Sequence, residues 1–178
     1  RNGTTGGANV DSVLSSGSLH FRTGTTERMK IDANGHVTMP SQPAFMATAT
    51  NVSDLAANST LQIGFATERF DQNSDFSSNT FTAPVTGKYA LHVILYFLQV
   101  DADTSYVETI LVTSNDQYSS IFNPTSFDAD SAYHTIQINI IADMDANDTA
   151  YVRVYLPNSG SAQMDINADS FFSGALIC

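Results

Sequence analysis

The chain has 178 residues, enough for one compact domain plus an appendage, with a formal charge of −11, a pI near 4.3 and only seven Lys and Arg. Nucleic acid is excluded as a partner, because neutralising phosphate takes Lys and Arg. No stretch approaches the roughly 20 apolar residues of a membrane helix, and the lone cysteine, Cys178, excludes an intrachain disulfide, so stability must come from packing or assembly.

No window carries sustained helical periodicity. Short apolar runs alternate with clusters of Ser, Thr, Asn, Asp and Gly, the pattern of an all-β sandwich or barrel. Residue 1 is Arg and no leader pattern follows, which predicts a fragment or a processed product. Residues 1–42 differ from the rest. They open RNGTTGGANVDSVLSSGS, too poor in apolar residues to pack alone. LHFRTGTTERMKIDANGHVTMPSQP follows, in which Arg28, Lys30 and Asp32 alternate with Met29 and Ile31. Asn34-Gly35 predicts a tight hairpin turn with Val37 and Met39 alternating on the return, and Pro40 and Pro43 end the unit. A lone hairpin is marginal in water. This one must lean on its own domain or, as an intertwined shaft, on other chains.

From Ala44 onward strands are predicted at 44–50, 61–67, 79–83, 88–99, 105–113, 117–122, 132–142, 149–156 and 170–177. In 132–142, Ile136, Ile138 and Ile140 fall on one face and Thr135, Gln137 and Asn139 on the other. In 149–156, Val152, Val154 and Leu156 oppose Tyr151, Arg153 and Tyr155. These are ordinary half-buried sandwich strands. Strand 88–99 is different. One face carries Tyr89, Leu91, Val93, Leu95 and Phe97, and the other Ala90, His92, Ile94, Tyr96 and Leu98. One face packs on the opposite sheet; the other should meet water unless another chain, or a loop of its own chain, covers it. Five residues at period two span about 30 Å, and burying them would contribute several kcal/mol at roughly 25 cal/mol per Å². The second face therefore reads as a subunit interface, made by His92, Ile94, Tyr96 and Leu98 with Phe172 from the closing strand.

FTAPVTGKY (81–89) resembles the signature of the complement-subcomponent-q globular head, a relative of the tumour necrosis factor fold: a Phe, a Pro, then G-x-Y leading into a long central strand. Phe65, Asp71 and Phe76 stand upstream at spacings similar to that family's, and FFSGALIC (171–178) resembles its closing strand. After Tyr89 the family usually has further aromatics, where this chain has Leu91 and Val93. The resemblance implies a ten-stranded jelly roll over 43–178, assembled as a compact homotrimer with the central strands around the threefold axis. FRTGTTERMKIDANGHVTMP (21–40) resembles a unit that recurs in bacteriophage tail fibres ahead of a head domain, through Glu27, Arg28, Met29, Ile31, Asp32, Gly35 and Val37. Such fibres are homotrimers, so the resemblance implies a trimeric shaft over 1–42.

Chemistry is thinly signalled. His20, His36, His92 and His134 are scattered, no G-x-S-x-G elbow is present, and no carboxylate pair stands out, so no catalytic residues are assigned. Alternate carboxylates occur at Asp101/Asp103, Asp128/Asp130 and Asp143/Asp145, the last extended by Asp148. Such pairs can converge on Ca²⁺, and members of the complement-q-like family often bind Ca²⁺ near the trimer apex. Each pair also reads as a solvated acidic turn. No cofactor is required. The expectation is a non-enzymatic phage fibre tip that attaches to a bacterial surface glycan or outer-membrane protein. Its contacts would lie on distal loops, at Tyr106, Tyr118, Phe122, Asn123 and Phe127. The alternatives are a secreted complement-q-like recognition or signalling module and a polysaccharide depolymerase. Location follows the reading: on the virion for a fibre, extracellular for a secreted module.

Overall fold

A computed structural model of the chain describes residues 9–13, 17–56, 58–157 and 163–178. It divides into two compact units, Arg1–Gln42 and Pro43–Cys178. The opening run 1–8 lies outside the described residues.

The first unit is an antiparallel sheet of β1 (Asn9–Val13), β2 (Ser18–Thr23), β3 (Thr26–Ile31) and β4 (Val37–Thr38), paired in chain order. The Asn-Gly turn is longer than expected. Ile31 pairs with Val37, which leaves a five-residue loop closed by Asp32. One oxygen of its carboxylate accepts the backbone N–H of Asn34 and of His36 at 2.8 and 2.9 Å, and the other lies 2.9 Å from His36 Nδ1. An Asp side chain that satisfies two loop N–H groups favours the wider turn over a two-residue one. The return strand is correspondingly short.

The second unit is a two-sheet sandwich. Six strands, β7 (Ser59–Gln62), β9 (Phe76–Ser77), β10 (Thr80–Thr82), β12 (Val107–Thr113), β13 (Gln117–Phe122) and β15 (Thr149–Leu156), make one sheet. Seven make the other: β5 (Ala44–Thr48), β6 (Val52–Ala56), β8 (Thr67–Asp71), β11 (Gly87–Val100), β14 (Ser131–Met144), β16 (Gln163–Ile166) and β17 (Phe171–Leu176). These are thirteen strands among the described residues, against the ten expected, because long strands are met by short ones end to end. β14 runs along one side of β11 over nearly its whole length, while β17 and then β16 share the other side. β10 and β7 share one side of β15 in the same way.

Period-two patterning explains the core. Tyr89, Leu91, Val93, Leu95 and Phe97 of β11 are wholly buried and face Leu111, Val152, Val154 and Leu156 of the other sheet. Each contributes about 1.5–3 kcal/mol by area burial. A knot of rings closes one region of this core. Phe45 stacks on Phe81 at 4.6 Å and on Phe76 at 5.0 Å, and Phe172 meets it edge-on at 4.9 Å. Tyr89, buried with them, donates its hydroxyl to Val85 O at 2.7 Å, which satisfies its one polar atom.

The predicted strand 61–67 is two strands in different sheets. Leu61, Ile63 and Phe65 alternate as a strand would, but the chain crosses between sheets there, and Ile63 and Phe65 anchor the crossing in the core.

Candidate functional site

The outward face of the seven-stranded sheet is an ordered surface. Pairing registers lay it out in rows. Leu98 pairs with Tyr133, and Tyr96 with Thr135. The next row runs Gln137, Ile94, Phe171, Thr48. A polar row follows, Asn139, His92, Ser173, which continues into Met46 and Phe70. Then come Ile141, Ala90, Ala175 and Ala44. Tyr133 is 65 % exposed, Ile141 66 % and Phe70 51 %. Ile94, Tyr96, Leu98, Phe171 and Met46 are half-buried by their neighbours alone, and His92 is exposed. Tyr96 and Tyr133 rings lie 5.8 Å apart. At one end of the face Lys88 Nζ pairs with Asp143 Oδ1 at 2.7 Å.

His92, Ile94, Tyr96 and Leu98 therefore lie on this face, and Phe172 does not. Phe172 pairs with Val93, points inward and is fully buried. Phe171, opposite Ile94, takes the outward place. Two adjacent Phe residues carry no parity of their own; the register against β11 decides which one points in. Met46, Phe70, Tyr133 and Ile141 were not anticipated. Tyr133 and Ile141 had a visible signal, since each interrupts the polar face of β14.

The loops sort to two ends. Leu176 N–H donates to Pro43 O at 3.0 Å and Lys88 N–H to Cys178 O at 2.7 Å, so the termini of this unit share one end with the 83–86, 114–116 and 145–148 turns. Asp143, Asp145 and Asp148 are here. Tyr118, opposite Leu111 near this end, is half-buried against the core. The carboxylates are engaged. Asp148 Oδ2 accepts from Asn115 Nδ2 at 2.8 Å and from Asp145 N–H at 2.9 Å, and Asp145 Oδ1 accepts from Thr86 Oγ1 at 3.3 Å.

Asp101, Asp103, Tyr106, Phe122, Asn123 and Phe127 lie at the opposite end. The expected contact residues do not share one end: Tyr118 lies apart from Tyr106, Phe122, Asn123 and Phe127. Here Asp101 Oδ1 accepts Asp103 N–H at 3.0 Å, and Asp130 Oδ1 accepts Ala102 N–H at 2.9 Å, tying the 101–106 loop to the 123–130 loop. Asn123 precedes a 3₁₀ turn, Pro124–Ser126, and is exposed. Behind it Phe122 stacks on His134 at 3.9 Å, with Phe127 5.8 Å from His134 and Phe97 5.8 Å from Phe122. Burial in that cage pulls the His134 imidazole below its usual range. Tyr106 and Tyr155 meet edge to face at 6.2 Å. A cleft of about 170 Å³ opens at this end between Asn51, Ser53, Leu98, Asp165 and Asn167.

His20 lies against Glu27, His36 against Asp32, His92 between Asn139 and Ser173, and His134 among rings. Among the described residues no group of three or more His, Cys, Asp or Glu is set to hold a metal ion. Ca²⁺ wants six to eight oxygens; of the expected carboxylates, Asp101 and Asp148 accept loop N–H groups, Asp145 accepts from Thr86 and Asp143 faces Lys88. No helix of the described residues is long and apolar enough to cross a membrane.

The sequence profile of the C1q domain matches residues 44–177. Among solved structures, the chain is similar to the globular domain of zebrafish complement 1qA protein, with a TM-score of 0.57 and 20 % identity over 78 % of this chain and 98 % of that one. It is also similar to murine APRIL at pH 8.0, with a TM-score of 0.56 and 11 % identity over 77 % of this chain and 100 % of that one. No curated protein sequence gives a significant match. At such identities the structural likeness speaks to fold, a jelly roll of the complement-q and tumour necrosis factor type whose domains are generally non-enzymatic binding modules. By its profile over 44–177, the chain belongs to the C1q domain family.

Proposed function

We propose that the chain is a complement-q-like recognition module that works outside the cell as a homotrimer and binds its ligand through the loops of the Pro43–Cys178 unit that lie opposite Pro43 and Cys178. The observation that carries this is the outward face of the seven-stranded sheet. It sets Ile94, Tyr96, Leu98, Phe171, Met46, Phe70, Tyr133 and Ile141 on one surface, at least half of them strongly apolar, in a chain that is otherwise acidic. Contiguous apolar surface of that kind marks an interface. Domains of this fold typically form homotrimers, and a second and third copy are the simplest cover. Three copies then turn weak contacts at Asp101–Tyr106 and Phe122–Phe127 into one useful attachment by effective concentration.

A second reading, a phage fibre tip, is favoured by one observation. The Arg1–Gln42 unit forms its own antiparallel sheet, and its β3–β4 segment carries the Glu27–Val37 residues that resemble the fibre unit. On that reading 1–42 is shaft, 43–178 is head, and the ligand is a bacterial surface glycan or outer-membrane protein.

The test is labelled full-length chain applied to panels of immobilised glycans, animal cells and bacterial cells. Wild type should label at least one panel. Ile94→Arg, which places a charge on the assembly face, should give a folded single chain that binds at least about tenfold more weakly. Labelling confined to bacteria supports the fibre reading, and labelling confined to the other panels supports the first. Binding by Ile94→Arg as tight as wild type would contradict trimeric presentation.

A further inference from the structure

His92 occupies the middle of the assembly face, with Asn139 of β14 on one side and Ser173 of β17 on the other. Its Nδ1 lies 2.9 Å from Asn139 Oδ1. The amide oxygen accepts the Nδ1 proton, and a neutral ring then keeps a bare Nε2. The rows on either side are Ile94 with Phe171, and Ala90 with Ala175.

Charge near this ring is sparse. Lys88 and Asp143 lie four residues along β11, roughly 13 Å away, and are paired to each other. Asp165 stands opposite Leu98, six residues the other way and roughly 20 Å off, and its Oδ1 already accepts Asp54 N–H at 2.8 Å. β14 adds Thr135, Gln137, Asn139 and Ile141; β17 adds Phe171, Ser173 and Ala175; β5 adds Ala44 and Met46. β8, beyond β5, presents Phe70 opposite Met46, with Glu68 and Arg69 next to it on that outer strand. Tyr96 and Tyr133 are the other titratable groups on the face. A copy laid over His92 thus covers an imidazole that has an amide and a hydroxyl for neighbours and no carboxylate.

We propose that His92 makes trimer assembly pH-dependent: copies associate with neutral imidazoles and separate as these gain protons. The inference rests on the homotrimer reading. A covered imidazolium without a counter-charge is costly, and three copies bring three of them to one interface. A group that must be neutral to be covered supports assembly above its ionisation range, and that support is lost as pH falls through it. Net charge works in the opposite direction. Chains of −11 repel one another, and the repulsion fades as pH approaches 4.3. Dissociation on mild acidification therefore runs against the net charge, and a group on the interface that gains positive charge supplies it. His20 and His36 belong to the other unit and sit against carboxylates, and His134 faces the core.

Sedimentation velocity of the full chain at about pH 7.5 and about pH 5.0 tests this, alongside His92→Gln, which keeps an amide at the position but cannot titrate. Wild type should be trimeric at the higher pH and associate at least about tenfold more weakly at the lower, with its circular dichroism unchanged. His92→Gln should change less than about twofold. A wild-type trimer equally tight at both pH values, equal weakening of His92→Gln, or unfolding in place of dissociation would overturn the proposal and leave the trimer standing. A single-chain mass at both pH values would overturn the trimer reading with it.

Discussion

Phe171 and Phe172 are chain neighbours with opposite surroundings, and the difference is measurable. Phe172 is fully buried among Phe45, Phe65 and Phe76. Phe172→Ala should lower folding stability by about 3–5 kcal/mol, read from the denaturant midpoint. Phe171→Ala should leave the stability of a single chain within about 1 kcal/mol and weaken association instead. The reverse order would mean that the register of β17 is wrong. Asp75 offers a test with pH. Burial raises its carboxyl above the ordinary value, against a hydrogen bond from Asn73 and with help from the Asp71 charge, and one of its oxygens has no partner. An acid whose value is raised by folding favours the folded state while protonated, and that support is lost as pH rises through the raised value. The charge is thus a cost at neutral pH. Asp75→Asn should raise the melting temperature at about pH 7 and lose that advantage towards about pH 3; an equal shift at both would contradict the assignment.

At the scale of elements, β11 organises the sheet and β17 must approach it closely. A Cβ on Gly174 would lie 2.6 Å from Leu91 Cδ2, 2.7 Å from Phe45 Cε1 and 3.2 Å from Ala90 O. Gly174→Ala is expected to cost about 1–3 kcal/mol by overpacking, seen as an earlier denaturant midpoint with an unchanged slope. A neutral effect would show that β17 sits further out. β11, β12, β14 and β15 were legible because long period-two runs of large apolar residues have few other readings. β6 and β16 were not. In QMDI only Met164 and Ile166 point inward, a signal two residues long inside a polar stretch. In VSDLA the backbone turns to φ 54° at Asp54, which breaks the alternation. The 61–67 segment misled for the opposite reason: its alternating apolar residues serve a crossing between sheets.

At the scale of the molecule, the apolar second face of β11 was readable from residues 88–99 alone, because a strand apolar on both sides needs two covers. The far half of that face was hidden. Met46, Phe70 and Phe171 join it only through pairings between segments far apart in sequence. The same holds for the loops. Nothing in the local sequence of 143–148 reveals that it shares an end with Pro43 and Cys178, whereas 101–106 and 123–130 lie opposite. The account depends on two further copies covering the β11 face. Sedimentation equilibrium of the full chain at neutral pH measures this directly. A mass of about three times 19.2 kDa, maintained on dilution to about micromolar strength, is predicted. A mass of 19.2 kDa across that range would contradict it.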